Sequence, residues 1–452
     1  MVSAQIQETV RVTEVECADP RIDGSTVSLT YRAKADGATV HEFTETIELP
    51  GSVDHVDPAV LTPVLRLLSL AASLSYFKAF APAAIAVPSG LTEAERRFAG
   101  EVTRHGLGEF AYVNRIPEVF RTEIAGPTLP ETSRGTSPGS AATPEDPRRA
   151  LVAVGGGKDS IVSIEALKGA GLDVGLFSVN SYAPIEATAV AAGIPLTSAR
   201  RRLDPALFEL NAAGAPNGHV PVTAVNSLVA VLTALALGYD AVVFSNEASS
   251  SYGNVHWEGQ TINHQWSKGI DFERLLRESL PAGAPQYVSL LRPLTELRIA
   301  RGFARLSGYH PVFTSCNRAF KLRAEDRTSW CADCPKCRFV FLCLAPFVSR
   351  AALLEIFGGR DMFADASQLT GFQELLGVEG LLKPFECVGE PDECRVALSL
   401  LREHADWADH PFLALPEIAP ITATDAEREA VFAFREDEHL LPPSLEAVAR
   451  AV

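Results

Sequence analysis

Several features common in proteins of this size are missing from this 452-residue chain. A helix needs about 20 continuous apolar residues to cross a bilayer, and no such run occurs. The most lipid-like stretch, Val64 to Val87, is interrupted by Arg66, Lys78 and Pro82, so it reads as a buried helix and not a membrane anchor. The opening residues, MVSAQIQETVRVTEVE, lack the basic-then-apolar pattern of a secretory leader, and the expected location is cytoplasmic. Basic charge is in short supply: 40 Lys and Arg against 56 Asp and Glu, a formal charge of −16. Such a balance repels nucleic acid and anionic membrane, and neither is an expected partner. Internal repeats are absent as well, which excludes a solenoid.

What is present is an ordinary globular composition. With 47% hydrophobic and 21% charged residues, the chain can bury a large core, and wholesale disorder is excluded. At about 150 residues per domain, the length suggests about three domains. Residues 126–148 contain no aromatic and are dense in Pro, Ser, Thr and Gly. They read as a flexible linker, which divides the chain into an N-terminal α+β domain (1–125), the linker, a nucleotide-type domain (149–345) and a mainly helical region (346–452). Residues 401–452 carry 4 basic and 11 acidic side chains, a net of −7 that is most simply a solvated face.

Before the linker, Val10–Cys17, Val27–Tyr31 and Phe43–Leu49 alternate polar and apolar residues, predicting a small antiparallel sheet. Helical periodicity starts at Asp57, and Thr92-Glu93-Ala94-Glu95 predicts a second helix through a capping box. After the linker the pattern becomes strand, turn, helix. Strands are expected at Ala150–Val154, Val174–Val179 and Asp240–Phe244, and helices at Ser160–Ala170 and Thr223–Leu237. Alternation of this kind implies an α/β fold with a doubly wound parallel sheet.

The stretch LVAVGGGKDSIVSIEALK, Leu151 to Lys168, ends a buried strand on three glycines and opens a helix. Gly155, Gly156 and Gly157 allow a tight turn with backbone N–H groups aimed at an anion, and the helix N-terminus adds its positive end. Lys158 and Ser160 supply further donors; Asp159 would oppose phosphate alone, which points to a bridging Mg²⁺. The spacing fits neither the Walker loop nor G-x-G-x-x-G. It resembles the S-G-G-x-D-S signature of the PP-loop ATP pyrophosphatases, with Gly155 in place of the first Ser. That resemblance implies a HUP-like sheet and cleavage of ATP to AMP and pyrophosphate during adenylation of a substrate oxygen.

Eight cysteines are present, five of them between residues 316 and 343. Cys331, Cys334 and Cys337 form C-x-x-C-x-x-C, with Cys316 fifteen residues before Cys331. Four thiolates so spaced suit a structural tetrahedral Zn²⁺ with no open position for water. Redox or sulfur-transfer chemistry is the competing reading, and Cys343 reads as core. The arrangement T-S-C…W-C-x-x-C-x-x-C resembles the zinc loop of the 7-cyano-7-deazaguanine synthases, which are also PP-loop enzymes. Around it, residues 301–340 hold 8 basic and 3 acidic side chains, a local +5 that fits a polyanion site or an ordinary solvated surface.

Three further stretches complete the pattern: NGHVPVTA (Asn217–Ala224), SNEASSSYGN (Ser245–Asn254) and INHQWSKGIDFE (Ile262–Glu273). With GGGKDS, the cysteine loop and KPFECVGE (Lys383–Glu390), they resemble the MurL family. The resemblance implies an ATP-dependent epimerase that converts the terminal L-Glu of UDP-MurNAc-L-Ala-L-Glu to D-Glu through an acyl-adenylate, in peptidoglycan precursor synthesis. The candidate proton-transfer groups are His264, Glu247 and His219, with Lys268 or Arg318 to stabilise an enolate. Cys387 is a further base candidate, read more simply as a structural cysteine. The alternatives are another adenylating enzyme, forming an amide or nitrile or modifying tRNA, and a non-catalytic nucleotide sensor.

Overall fold

Near the N-terminus, alternation of polar and apolar residues produces an antiparallel sheet. The computed structural model describes residues 11–130, 146–320 and 329–452. Its first strands are β1 (Glu14–Cys17), β2 (Arg21–Asp23), β3 (Thr26–Ala35) and β4 (Ala38–Glu48). Each of the other three pairs antiparallel with β3. Along β3, Val27, Leu29, Tyr31, Ala33 and Ala35 are buried and their neighbours are not, the period-2 pattern of a half-covered strand. The helix Pro58–Phe77 is opened by Asp57, whose carboxylate accepts from the Ala59 N–H at 2.8 Å. Among the described residues it alone has the length and apolarity of a membrane span, and 78% of its apolar window is buried inside the protein. The capping box at Thr92 and Glu95 opens the helix Glu93–Gly106. Two short strands, β5 (Ala84–Ala86) and β6 (Glu123–Ala125), extend the sheet in parallel beyond β1.

Of the linker expected at 126–148, residues 131–145 lie outside the described residues. Beyond them come β7 (Arg149–Ala153), β8 (Asp173–Val179), β9 (Leu196–Arg202) and β10 (Ala241–Phe244). A separate hairpin of β11 (Val255–Trp257) and β12 (Gln260–Ile262) precedes β13 (Gln286–Ser289). Five of these strands are mutually parallel in the order β9-β8-β7-β10-β13. Helices Lys158–Gly169, Ala183–Ala192 and Val222–Leu237 connect them. Strands β7, β10 and β13 are buried on both faces along most of their length, as near-continuous apolar runs require. Ala150, Val152 and Val154 point into a core shared with the C-terminal helices, while Leu151 points into a second core shared with Pro58–Phe77 and Val222–Leu237.

The two sheets read separately in the sequence are one. β9 pairs antiparallel with β4, joining both halves into an eleven-stranded, mixed α/β sheet. No sequence signal marked β9, whose LTSARRR carries three arginines. The join supplies their use. Arg201 forks onto the fully buried carboxylate of Glu45 in β4, with contacts of 2.6 and 3.1 Å, and reaches Ser75 of the long helix at 3.2 Å. Removing one partner of a buried pair leaves an uncompensated charge, at a cost of about 3–5 kcal/mol. Arg201→Ala is therefore expected to lower the melting temperature far more than the double replacement Glu45→Leu/Arg201→Met; calorimetry on the two variants measures the difference.

Candidate active site

The glycine loop leaves β7 at its carboxyl end and enters the helix Lys158–Gly169, with Gly157 as its N-cap. Gly156 has φ +76°, which an L side chain adopts only with strain. Gly157 is needed for a different reason: a Cβ there would come 2.9 Å from the Ser315 hydroxyl. The segment Thr314–Cys316 lies directly on the loop, and the Thr314 N–H donates to the Gly156 carbonyl at 2.9 Å. The two motifs recognised independently in the sequence thus form a single site. Gly155 stands free, with open space where its Cβ would be.

Above the loop lies a cleft of about 370 Å³. It occupies the carboxyl ends of β7, β8 and β10, the position at which open α/β sheets bind ligands. Gly155, Gly157, Asp159 and Ser160 form its floor; Val179, Tyr182, Ile185 and Phe320 form an apolar wall, and Lys268 and Lys336 are its cations. Lys158 is not one of them. Its ammonium is buried between the carboxylates of Asp159 and Glu296, which hold its pKa above the ordinary value against the opposing effect of burial. Ser160 is engaged as well, donating to the Gly157 carbonyl at 3.0 Å. Arg318 does not line the cleft and pairs with Asp333 at 3.6 Å. Nor does the basic excess of residues 301–340 form one patch. Arg301 packs over Phe432, Arg338 donates to Gln368, and Lys321, Arg323 and Arg327 lie outside the described residues.

Cys316, Cys331, Cys334 and Cys337 converge, all four sulfurs within 4.8 Å of one another. Zn–S bonds of about 2.3 Å in a tetrahedron place sulfurs about 3.8 Å apart. The Cys331–Cys337 and Cys334–Cys337 separations are 3.7 and 3.4 Å, so the residues fit the ion. Cys334 also caps the helix Pro335–Leu344, and Lys336 lies between two of the thiols. A metal at this point would fix the start of that helix, and with it the lysine facing the cleft.

A smaller chamber of about 70 Å³ opens beside the cleft. The two share Asp159, Ser245, Asn246, Lys268, Ser315 and Lys336. Glu247 and Cys387 are further wall residues of the chamber. Arg292, 1% exposed, fixes this region by donating to the carbonyls of Glu247 (2.6 Å) and Lys268 and to the Ser250 hydroxyl (2.7 Å). Burial, with the Glu393 carboxylate nearby, pushes the Glu247 carboxyl up to about 7.

Lys268 Nζ is 3.1 Å from Cys387 Sγ. On its other side Cys387 is hydrogen bonded to His264, whose Nδ1 bonds Glu109 Oε2. His219 stacks obliquely on His264 with ring centroids 4.4 Å apart. Burial alone would raise the Cys387 thiol, but Lys268, Lys336 and His264 hold it well below its ordinary value. Burial alone would lower His264, but its bonds to Cys387 and Glu109 push it up to about 9. Burial and the charge on His264 push His219 down to about 4. Glu109, His219 and His264 are close enough to share a cation. The Lys268 ammonium acts electrostatically on both His219 and the Cys387 thiol.

The sequence-predicted residues therefore separate into layers. Glu247 and Lys268 face the chamber, His264 stands behind Cys387, and His219 behind His264. Glu109 and Glu296 carry no signal in the sequence, whereas Lys336 belongs to the basic 301–340 segment and lies inside the cysteine motif.

Comparison with known proteins gives the family. Residues 6–290 match the family description "MurL N-terminal domain" and residues 312–430 "MurL C-terminal domain". The chain belongs to the MurL family. It is 52% identical over 401 residues to a protein of Salinispora tropica, covering 86% of this chain and 85% of the relative. A Micromonospora relative is 49% identical over 417 residues (90% and 91%), and one from Xanthomonas oryzae pv. oryzae 43% over 423 residues (91% of each). All three are named UDP-N-acetyl-alpha-D-muramoyl-L-alanyl-L-glutamate epimerase. No solved structure matches the chain.

Because Lys336 reaches the cleft from the cysteine loop, metal and nucleotide binding are expected to be linked. Lys336→Ala should weaken ATP binding by about ten- to hundredfold, the value of about 1.5–3 kcal/mol for a charged hydrogen bond, with zinc content unchanged. Cys337→Ser should lose both. Elemental analysis and calorimetric titration with ATP give the two readouts.

Proposed function

We propose that this protein is an ATP-dependent epimerase that inverts the terminal L-glutamate of UDP-MurNAc-L-Ala-L-Glu, releasing AMP and pyrophosphate, in the assembly of cell-wall precursors. The observation that carries the reading is the continuity of the nucleotide-type cleft with a chamber lined by proton-transfer groups. The names borne by the relatives give the substrate. The 3-2-1-4-5 order of the five parallel strands supports a PP-loop type of sheet, and ATP chemistry suits the cytoplasm.

The chemical difficulty is an α-proton beside a free carboxylate, whose removal would put two negative charges together. Adenylation of that carboxylate removes one charge and lets the other delocalise as an enolate. In this reading Gly155–Gly157 and the N-terminal N–H groups of the following helix receive the phosphates, with Lys336 and Ser160 as further donors. Asp159 is the residue that would hold a Mg²⁺, whose charge would offset that of the pyrophosphate. Val179, Tyr182, Ile185 and Phe320 receive the adenine. Lys268 faces both compartments and stabilises the enolate oxygen. Glu247 is one of the proton-transfer groups, poised near neutrality. Zn²⁺ on the four cysteines has a structural role, holding Ser315 and Lys336 against the loop.

Incubation with ATP, Mg²⁺ and UDP-MurNAc-L-Ala-L-Glu in D₂O tests this. The expected result is D-Glu carrying α-deuterium, with AMP formed only when the glutamyl substrate is present. Unchanged L-Glu and no AMP from folded, zinc-loaded protein would refute the assignment.

A further inference from the structure

Resting on that reading, we propose that Cys387, as a thiolate, removes the α-proton from one face of the adenylated glutamyl residue, and that Lys268, His264 and Glu109 position its sulfur. Three observations converge on it. Cys387 lines the chamber that opens beside the phosphate loop, whereas Cys17, Cys343 and Cys394 are packed in the apolar cores. Its sulfur is held from two sides by cationic donors, Lys268 at 3.1 Å and His264. The loop that carries it is tied down just before the cysteine: Asn254 donates to the Pro384 carbonyl at 2.9 Å, and Asn317 to the Glu386 carboxylate at 2.8 and 2.9 Å.

A packed cysteine has no use for a lysine and a histidine, and two part-buried cations without an anion between them would be costly. A thiolate balances them. Glu109 then balances the histidine, so an N-terminal helix, Gly108–Asn114, contributes a residue to chemistry otherwise placed in the second half of the chain.

In the step itself the Cα–H bond breaks, an S–H bond forms, and the electron pair enters the acyl-adenylate carbonyl as an enolate. Glu247, on the wall of the same chamber, gives its carboxyl proton to the opposite face of Cα. Water then hydrolyses the acyl-adenylate to the D-glutamyl carboxylate and AMP. The thiol returns its proton to solvent, leaving the thiolate between Lys268 and His264, and Glu247 takes one back from water.

Two measurements on the zinc-loaded full chain test the assignment. In Cys387→Ala, α-deuterium exchange and epimerisation should fall by about 10²–10⁴-fold, while substrate-dependent exchange of pyrophosphate into ATP stays within about threefold of the parent. Epimerisation within about threefold of the parent, or equal loss of both activities, would overturn it. The second measurement uses the parent protein and does not depend on how the variant folds. Alkylation of Cys387 by iodoacetamide, followed by peptide mass across pH, should titrate well below the ordinary thiol value and be blocked by ATP with substrate. In Lys268→Met the midpoint should move up. The groups facing the sulfur are Lys268, Lys336 and His264, with Glu109 and His219 behind and Glu247 across the chamber. A midpoint at the ordinary thiol value of about 8.5 would overturn the proposal. A parent protein that forms neither AMP nor D-Glu refutes the functional reading instead, and the alkylation result still decides the state of the thiol.

Discussion

Most of the site depends on how closely one loop lies on another. Gly157 leaves no room for a side chain beneath the Ser315 hydroxyl, and the Gly156 carbonyl accepts from the Thr314 backbone. That contact brings a phosphate-type loop at the end of a parallel strand against a cysteine loop more than 150 residues later. Every cation at the phosphate end of the cleft follows from it or stands opposite it. Lys336 is carried by the helix that Cys334 caps, while Lys268 is held from the other side through its carbonyl by Arg292. The placing of Ser315 and Lys336 is therefore tied to that of the glycine loop, and four thiols within reach of one ion can hold such a segment in place.

The burial of Lys158 has a matching consequence. A lysine in the first turn of a phosphate-binding helix is expected to reach the ligand, yet here it neutralises Asp159 and Glu296 inside the protein. Without it, Asp159, Glu247 and Glu296 would face one another across a small buried volume, since each raises the proton affinity of a neighbour. Lys158 thus offsets the carboxylates around it and moderates the upward push on Glu247. Around Cys387 the balance is reversed, with Lys268 and His264 beside a single sulfur. Two such contrasting electrostatic environments in one chamber suit a reaction that must take a proton from one side of a carbon and give one to the other.

Much of this was legible in the sequence, for a physical reason. Glycines that need unusual φ or close approach, cysteines that need fixed spacing, and alternating or helical periodicity all leave local signatures. The phosphate loop, the metal-type cluster, the capped helices and the parallel strands were found that way. What escaped depends on tertiary proximity. β9 could not be read because LTSARRR looks like a solvated segment until Glu45 is placed opposite Arg201. Glu109 and Glu296 are ordinary helix-start acids in sequence, and only the fold sets them against His264 and Lys158. Cys387 was read as structural because a single cysteine carries no spacing to interpret; its meaning comes from Lys268 and His264, more than a hundred residues earlier.

The central claim is that the carboxylate beside the inverted carbon is adenylated before its proton leaves. Substrate labelled with ¹⁸O in the α-carboxylate of its glutamyl residue tests this most directly, with the AMP product analysed by phosphorus NMR. The account predicts that ¹⁸O appears in the phosphoryl group of AMP, one atom for each molecule formed. D-Glu that accumulates while all of the label stays in the glutamyl carboxylate would contradict it.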